Sequence, residues 1–110
     1  MVIIRQFEVW LVELSPTLGS EINKARPCLV ISPNSMNKLL NTVIIAPLTH
    51  TIKKYPSRVD CSFKGEAGQI VLDQIRSVDK VRLAKKLGLM NSETNENACT
   101  ILQVMFQYMP

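Results

Sequence analysis

The sequence predicts a small, strongly bent antiparallel sheet that curls into a partly open barrel closed by one C-terminal helix. Three observations predict it. Short runs rich in Val, Ile, Leu and Trp recur along the chain, bounded by Pro, Gly, Asn and Ser. Several connections between them are long and polar. Only the tail carries a clear helical stripe. Short strands with one helix are best satisfied by a curled sheet whose open end the helix covers. At 110 residues and 46% hydrophobic content, the chain suits one domain, residues 1–110, with a real core.

Taken in order, Glu8–Leu14 is rich in Val, Trp and Leu and reads as a strand, ended by Ser15-Pro16-Thr17. Pro27–Ser32 is the second strand, and its unbroken Cys-Leu-Val-Ile centre implies burial on both faces. Pro33-Asn34-Ser35 breaks it, and Met36–Leu40 forms a helical turn. Thr42–Leu48 is the third strand, weakened at its end by Pro47. Thr49–Pro56 is a polar loop. Ser57–Phe63 alternates as a half-buried strand does, Lys64–Gly68 is a turn, and Gln69–Asp73 is another strand. Val78–Leu83 reads as a helical turn and Ala84–Met90 as a last extended segment. In the tail, Ala98, Ile101, Leu102, Met105, Phe106 and Met109 repeat with the spacing of one helical face. Asn91 or Ser92 caps its start, with Glu93 and Glu96 near the positive end of the dipole. Val104 and Tyr108 lie off that stripe, as wider core contact or as a dimer surface.

Composition removes several functional classes. No apolar run is long enough to span a bilayer, and no charged-apolar-small leader opens the chain, so a cytoplasmic protein is expected. Cys28, Cys61 and Cys99 are far apart and odd in number, and there is one histidine. That argues against a metal site, a disulfide framework or a thiol nucleophile, and for three small buried hydrophobes. A net charge of +4 leans towards an anionic partner.

The loop Leu18–Pro27 is the most informative stretch. It holds Glu21 and Arg26 in about ten residues, long for a link between neighbouring strands. Pro27 biases Arg26 towards an extended backbone, which aims its guanidinium from the mouth of a strand. A planar guanidinium suits a phosphate. On spacing alone, a solvated loop carrying an acid and a base remains the simpler account. His50, where a strand enters a polar loop, reads most simply as solvated. Asp73–Lys80 forms a second polar cluster. Arg76, Lys80, Arg82, Lys85 and Lys86, with Lys53, Lys54 and Arg58, form either a basic groove or a solvated face.

Glu8-Val9-Trp10-Leu11-Val12, then Leu14-Ser15-Pro16-Thr17-Leu18-Gly19-Ser20-Glu21 and Arg26-Pro27-Cys28-Leu29-Val30-Ile31-Ser32, resemble the opening of the MazF/PemK toxins. Ala46-Pro47-Leu48-Thr49 matches the strand end that carries the family's threonine, and Leu72–Leu83 matches a later block. The blocks are ordered and spaced as in the family over nearly the whole chain. Ile22 and Lys24 depart from it where Gln and Gly are common, and Phe7 replaces a small residue.

The resemblance implies an SH3-like bent antiparallel barrel, a homodimer, and a metal-independent endoribonuclease that needs no cofactor. Its substrate would be single-stranded RNA and its inhibitor a cognate antitoxin. Arg26 and Thr49 fall at the family's catalytic positions, and Glu21 is the local candidate base. Ser20, Lys24, His50, Gln74 and Arg76 are candidates for contact with RNA. A non-catalytic barrel that binds an antitoxin, and a gyrase poison, are the competing readings.

Overall fold

The computed structural model describes residues 2–110. Across them run β1 (Glu8–Glu13), β2 (Ala25–Val30), α1 (Asn34–Leu39), β3 (Thr42–Thr49), β4 (Arg58–Phe63), β5 (Glu66–Val71), β6 (Arg76–Asp79), β7 (Leu83–Leu89) and α2 (Ser92–Met105). Single 3₁₀ turns at Leu72–Gln74 and Lys80–Arg82 flank β6. The 7-stranded sheet runs β4-β5-β3-β2-β1-β7, with β6 also paired to β3. Every pair is antiparallel.

The β-branched run of β3 organises the sheet. One edge of β3 pairs with β2. Its other edge is divided: Thr42–Ile45 pair with β6, and Leu48 and Thr49 pair with β5. The division falls at Ala46-Pro47, where proline supplies no N–H for the ladder. The sheet bends there, and the bend brings the far end of β3 against the β4–β5 hairpin.

Strand alternation then makes two cores. On one face Val9 pairs with Leu29, and Leu29 with Ala46. These pack with Ile70, Leu72 and the α2 residues Ala98, Ile101, Leu102 and Met105. On the other face Trp10, Val12, Leu14, Cys28, Val30, Ile45 and Val78 pack together. Strand β2 is therefore apolar on both sides, as its continuous run predicts. Trp10 is buried there beside a buried acid. Glu8 accepts from Trp10 Nε1 at 3.0 Å and from the Arg5 backbone N–H at 2.8 Å, and meets Lys86 Nζ at 2.9 Å. Burial raises the Glu8 pKa, but the Arg5, Lys86 and Trp10 hydrogen bonds outweigh it, and the net shift is downward.

Several boundaries differ from the sequence reading, for tertiary reasons. Strand β2 starts at Ala25 rather than Pro27, because Val12 and Glu13 extend far enough to pair with Arg26 and Ala25. The turn after β4 is tighter than expected. Lys64 and Gly65 both have positive φ, 50° and 79°, which suits a two-residue hairpin turn and leaves Glu66 and Ala67 in β5. That strand stops at Val71. Strand β6 lies where a polar cluster was read, with Val78 its only buried residue. In α2, Asn91 caps the helix by accepting from Thr94 N at 2.8 Å. The helix ends at Met105, so Phe106 and Met109 leave the predicted stripe and are exposed. Of the cysteines, Cys28 is fully buried, and Cys61 and Cys99 are half-buried. No helix of the described residues is long and apolar enough to cross a membrane.

Candidate active site

Arg26 and Thr49 meet through sheet register. The β2–β3 ladder ends at Cys28 and Pro47, and continuing its register two steps along each strand brings Arg26 and Thr49 to the same end of the sheet. Both line a cleft of about 190 Å³ together with Lys24, His50, Cys61 and Phe63. Arg26 is half-buried, and its Nε donates to the Asn23 carbonyl at 3.3 Å, which steadies the guanidinium at the rim. Thr49 Oγ1 accepts from Thr51 N at 3.2 Å, leaving the hydroxyl proton to be donated elsewhere. His50 is exposed, with Nδ1 3.4 Å from the Ala67 carbonyl and Nε2 3.4 Å from Glu66 Oε2. The cleft thus has a cationic and hydroxylic side and an apolar side.

Gly68 holds the end of β3 in place. A Cβ at Gly68 would collide with the Thr49 carbonyl. Only a glycine lets β5 approach closely enough to pair Leu48 with Ile70 and Thr49 with Gln69. Gln69 in turn fixes the loop beyond His50. It accepts from Lys53 N at 3.0 Å and donates to the Lys53 carbonyl at 3.0 Å.

A second cleft, of about 220 Å³, is lined by Glu21, Ile22, Pro47, Asp73, Gln74 and Arg76. Pro47 lines this cleft while its β3 neighbours Leu48 and Thr49 line the first, so the two clefts adjoin along the end of that strand. Glu21 therefore does not share a cleft with Arg26 and Thr49. Its carboxylate accepts from Leu18 N at 2.9 Å, closing a turn at the tip of the loop. Gln74 and Arg76 hold the loop's base: Gln74 Oε1 accepts from Ile22 N at 2.8 Å and Arg76 donates to the Leu14 carbonyl at 3.1 Å. Arg82 adds bonds to the carbonyls of Glu13 and Ser15, at 3.1 and 2.7 Å. Ser20 is exposed at the tip and lines neither cleft.

Both departures at positions where the family favours a small residue sit on left-handed backbone. Phe7 has φ 69° and Lys24 φ 64°. Such geometry favours glycine and is uncommon for other residues. At Lys24 it turns the chain into β2 and places a cation on the Arg26 cleft.

The cysteines offer no nucleophile. Burial pushes Cys28 up to about 12, although Arg76 and Arg26 pull against it. Burial also raises Cys61, and the Asp60 carboxylate raises it further. Among the described residues no three His, Cys, Asp or Glu side chains are grouped to hold a metal ion. Asp73 serves structure: Arg58 Nε donates to it at 2.8 Å and Ser57 Oγ at 3.0 Å. Burial raises its pKa, and those bonds bring it net below the ordinary value. Sequence reasoning did not foresee Gly68 or Phe63. The signal for Gly68 was a glycine inside an otherwise strand-forming run; Phe63 had no signal until the β4–β5 hairpin folded back on β3.

The bent barrel sets a guanidinium and a hydroxyl on one cleft, a combination with the chemistry to hold a phosphodiester. Residues 5–106 match the family model described as PemK-like, MazF-like toxin of type II toxin-antitoxin system. The chain belongs to that family. It is 33% identical over 108 residues to endoribonuclease EndoA of Bacillus subtilis (strain 168), covering 93% of each chain. Its fold is similar to that of MazF from Deinococcus radiodurans, with TM-score 0.85, 24% identity and coverage of 98% of this chain and 100% of that one. It is also similar to a mycobacterial endoribonuclease solved in complex with its cognate antitoxin, with TM-score 0.81, 23% identity and coverage of 97% and 99%.

Proposed function

We propose that this chain is the toxin of a type II toxin–antitoxin pair and cleaves single-stranded RNA, using the RNA's own 2′-hydroxyl as nucleophile. The observation that carries the reading is that Arg26 and Thr49 line one cleft. Family membership and the endoribonuclease relative support it, and a net charge of +4 favours the polyanion. It works in the cytoplasm as a homodimer under a cognate antitoxin. The exposed Val104, Phe106, Tyr108 and Met109 are apolar surface that a partner would cover.

In the reaction the 2′-oxygen forms a bond to phosphorus while the bond from phosphorus to the 5′-oxygen breaks. One proton leaves the 2′-hydroxyl and one reaches the departing 5′-oxygen. Arg26 neutralises the charge that builds on the phosphoryl oxygens, and Thr49 donates a hydrogen bond that holds one of them in line. An imidazole can both take and give a proton, and His50 shares the cleft with Arg26 and Thr49. Glu21, on the neighbouring cleft and bonded to Leu18 N, would serve as base once the Leu14–Lys24 loop carries it to the phosphate. Ser20, Lys24, Gln74 and Arg76 remain candidate RNA contacts on or beneath that loop.

The test is product chemistry on a long unstructured RNA with chelator present. The reading predicts 2′,3′-cyclic phosphate and 5′-hydroxyl ends. A 3′-hydroxyl end, or loss of cleavage with chelator, overturns the mechanism.

A further inference from the structure

We infer that Phe63 is the platform on which the base flanking the scissile phosphate stacks, and so a residue that sets which RNA sites are cut. The inference rests on the proposed ribonuclease function and deepens it. The Arg26 cleft is two-sided. Arg26, Thr49 and Lys24 make it polar on one side, and Leu48, Cys61 and Phe63 make it apolar on the other. A nucleotide is divided in the same way, into a phosphate and a flat base with an apolar face. With the phosphate on Arg26 and Thr49, the base next to it falls on the apolar side, where Phe63 is the one Phe, Tyr or Trp ring lining the cleft and, unlike the exposed His50, is partly buried.

The ring is also held in place. It is half-buried at the end of β4, with its inner part packed on the core shared with α2. A Cβ at Gly88 would lie 3.2 Å from the ring's Cζ, so the glycine makes room for the ring against β7. The tight Lys64-Gly65 turn fixes the strand end that carries it. Lys64 Nζ lies over one face of the ring, 5.7 Å from its centroid, and a base stacking on that face would displace it. A fixed aromatic ring next to phosphate-binding cations is the arrangement by which proteins hold single-stranded nucleic acid. Recognition of unpaired RNA bases commonly uses such stacking.

Phe63→Leu keeps apolar bulk against the core and removes the aromatic face, and Phe63→Trp keeps and enlarges that face. Binding is read by anisotropy with a fluorescent, short, random-sequence 2′-O-methyl RNA, which cannot be cleaved. Cleavage is read separately on a long unstructured RNA. Loss of one stacked base weakens binding by about 5- to 150-fold. The expected result is that loss in Phe63→Leu, wild-type binding or better in Phe63→Trp, and a changed set of cut sites in both. The new indole of Phe63→Trp, measured against wild type to subtract Trp10, is quenched when RNA binds. Thermal unfolding verifies that each variant is folded; if Phe63→Leu is not, the quenching and cut sites of Phe63→Trp decide alone. Wild-type binding in folded Phe63→Leu, or an indole unchanged by bound RNA, overturns the stacking role. Absence of cleavage by the wild type overturns the ribonuclease reading instead, and the binding comparison reports on Phe63 regardless.

Discussion

Gly68→Ala adds one methyl group at the closest approach of β5 to β3. The new Cβ would overlap the Thr49 carbonyl, which is backbone and cannot rotate away as a side chain would. Strand β5 and the end of β3 must move apart, weakening the Leu48–Ile70 and Thr49–Gln69 pairs. Forcing an extra methyl into a packed site costs about 1–3 kcal/mol. In a domain near this size each kcal/mol lowers Tm by roughly 4–8 °C. The catalytic effect is larger, because Thr49 is carried on the displaced segment, and misplacing a reacting group by about 1 Å can cost on the order of 100-fold in rate. Calorimetry and single-turnover RNA cleavage measure the two effects. The expected outcome is a lower Tm and a fall in kcat, with KM less changed because Arg26 stays on β2. In a Thr49→Ala background the rate effect of Gly68→Ala should largely vanish, since both act through the same hydroxyl. Wild-type Tm and kcat in Gly68→Ala would refute the close-approach argument. A full additional rate loss in the double variant would refute the route through Thr49.

Other outcomes follow from the same geometry. Glu8 has a depressed pKa in the fold, so its contribution to stability is present above the ordinary value of 4.5 and is lost as pH falls through the lower folded value. Wild type should therefore lose stability more steeply than Glu8→Gln on acidification below about 4.5, as measured by denaturant midpoints. Cys28, fully buried and with its pKa raised to about 12, should resist a thiol reagent at pH 8 until the chain is unfolded, and half-buried Cys61, also raised by burial and Asp60, should react in the folded state more slowly than in the unfolded chain. For the same thiol the sign is reversed. The unfolded Cys28 ionises near 9 and the folded one does not, so its contribution to stability falls as pH rises beyond about 9. His50→Gln and Glu21→Gln distinguish the proton carriers: with His50 in the cleft of Arg26 and Thr49, its substitution should lower the single-turnover cleavage rate more than that of Glu21.

The fold was legible because strand and helix periods are local. The Cys28–Ile31 run announced a strand buried on both faces, and of the two cap candidates, Asn91 and Ser92, the structure uses Asn91. Strand β6 was not legible, since one buried residue, Val78, gives no period, and its pairing with β3 is a tertiary fact. The end of α2 was misread for the opposite reason: Phe106 and Met109 continue the spacing but have nothing to pack on beyond Met105. Within the site, Arg26 could be suspected from Pro27, but its alignment with Thr49 depends on the β2–β3 register. Nearness in sequence put Glu21 beside Arg26, and the loop instead carries it to another cleft. Gln74 and Arg76, candidates for RNA contact, make bonds of their own to the backbone at the base of that loop.

The central claim is that Arg26 stabilises the charge developing on the phosphate, and Arg26→Ala tests it most directly. Single-turnover cleavage of one long unstructured RNA by folded mutant and wild type, with cut sites mapped, is the measurement. The account predicts a rate about 10²–10³-fold lower at unchanged sites. Equal rates would contradict it.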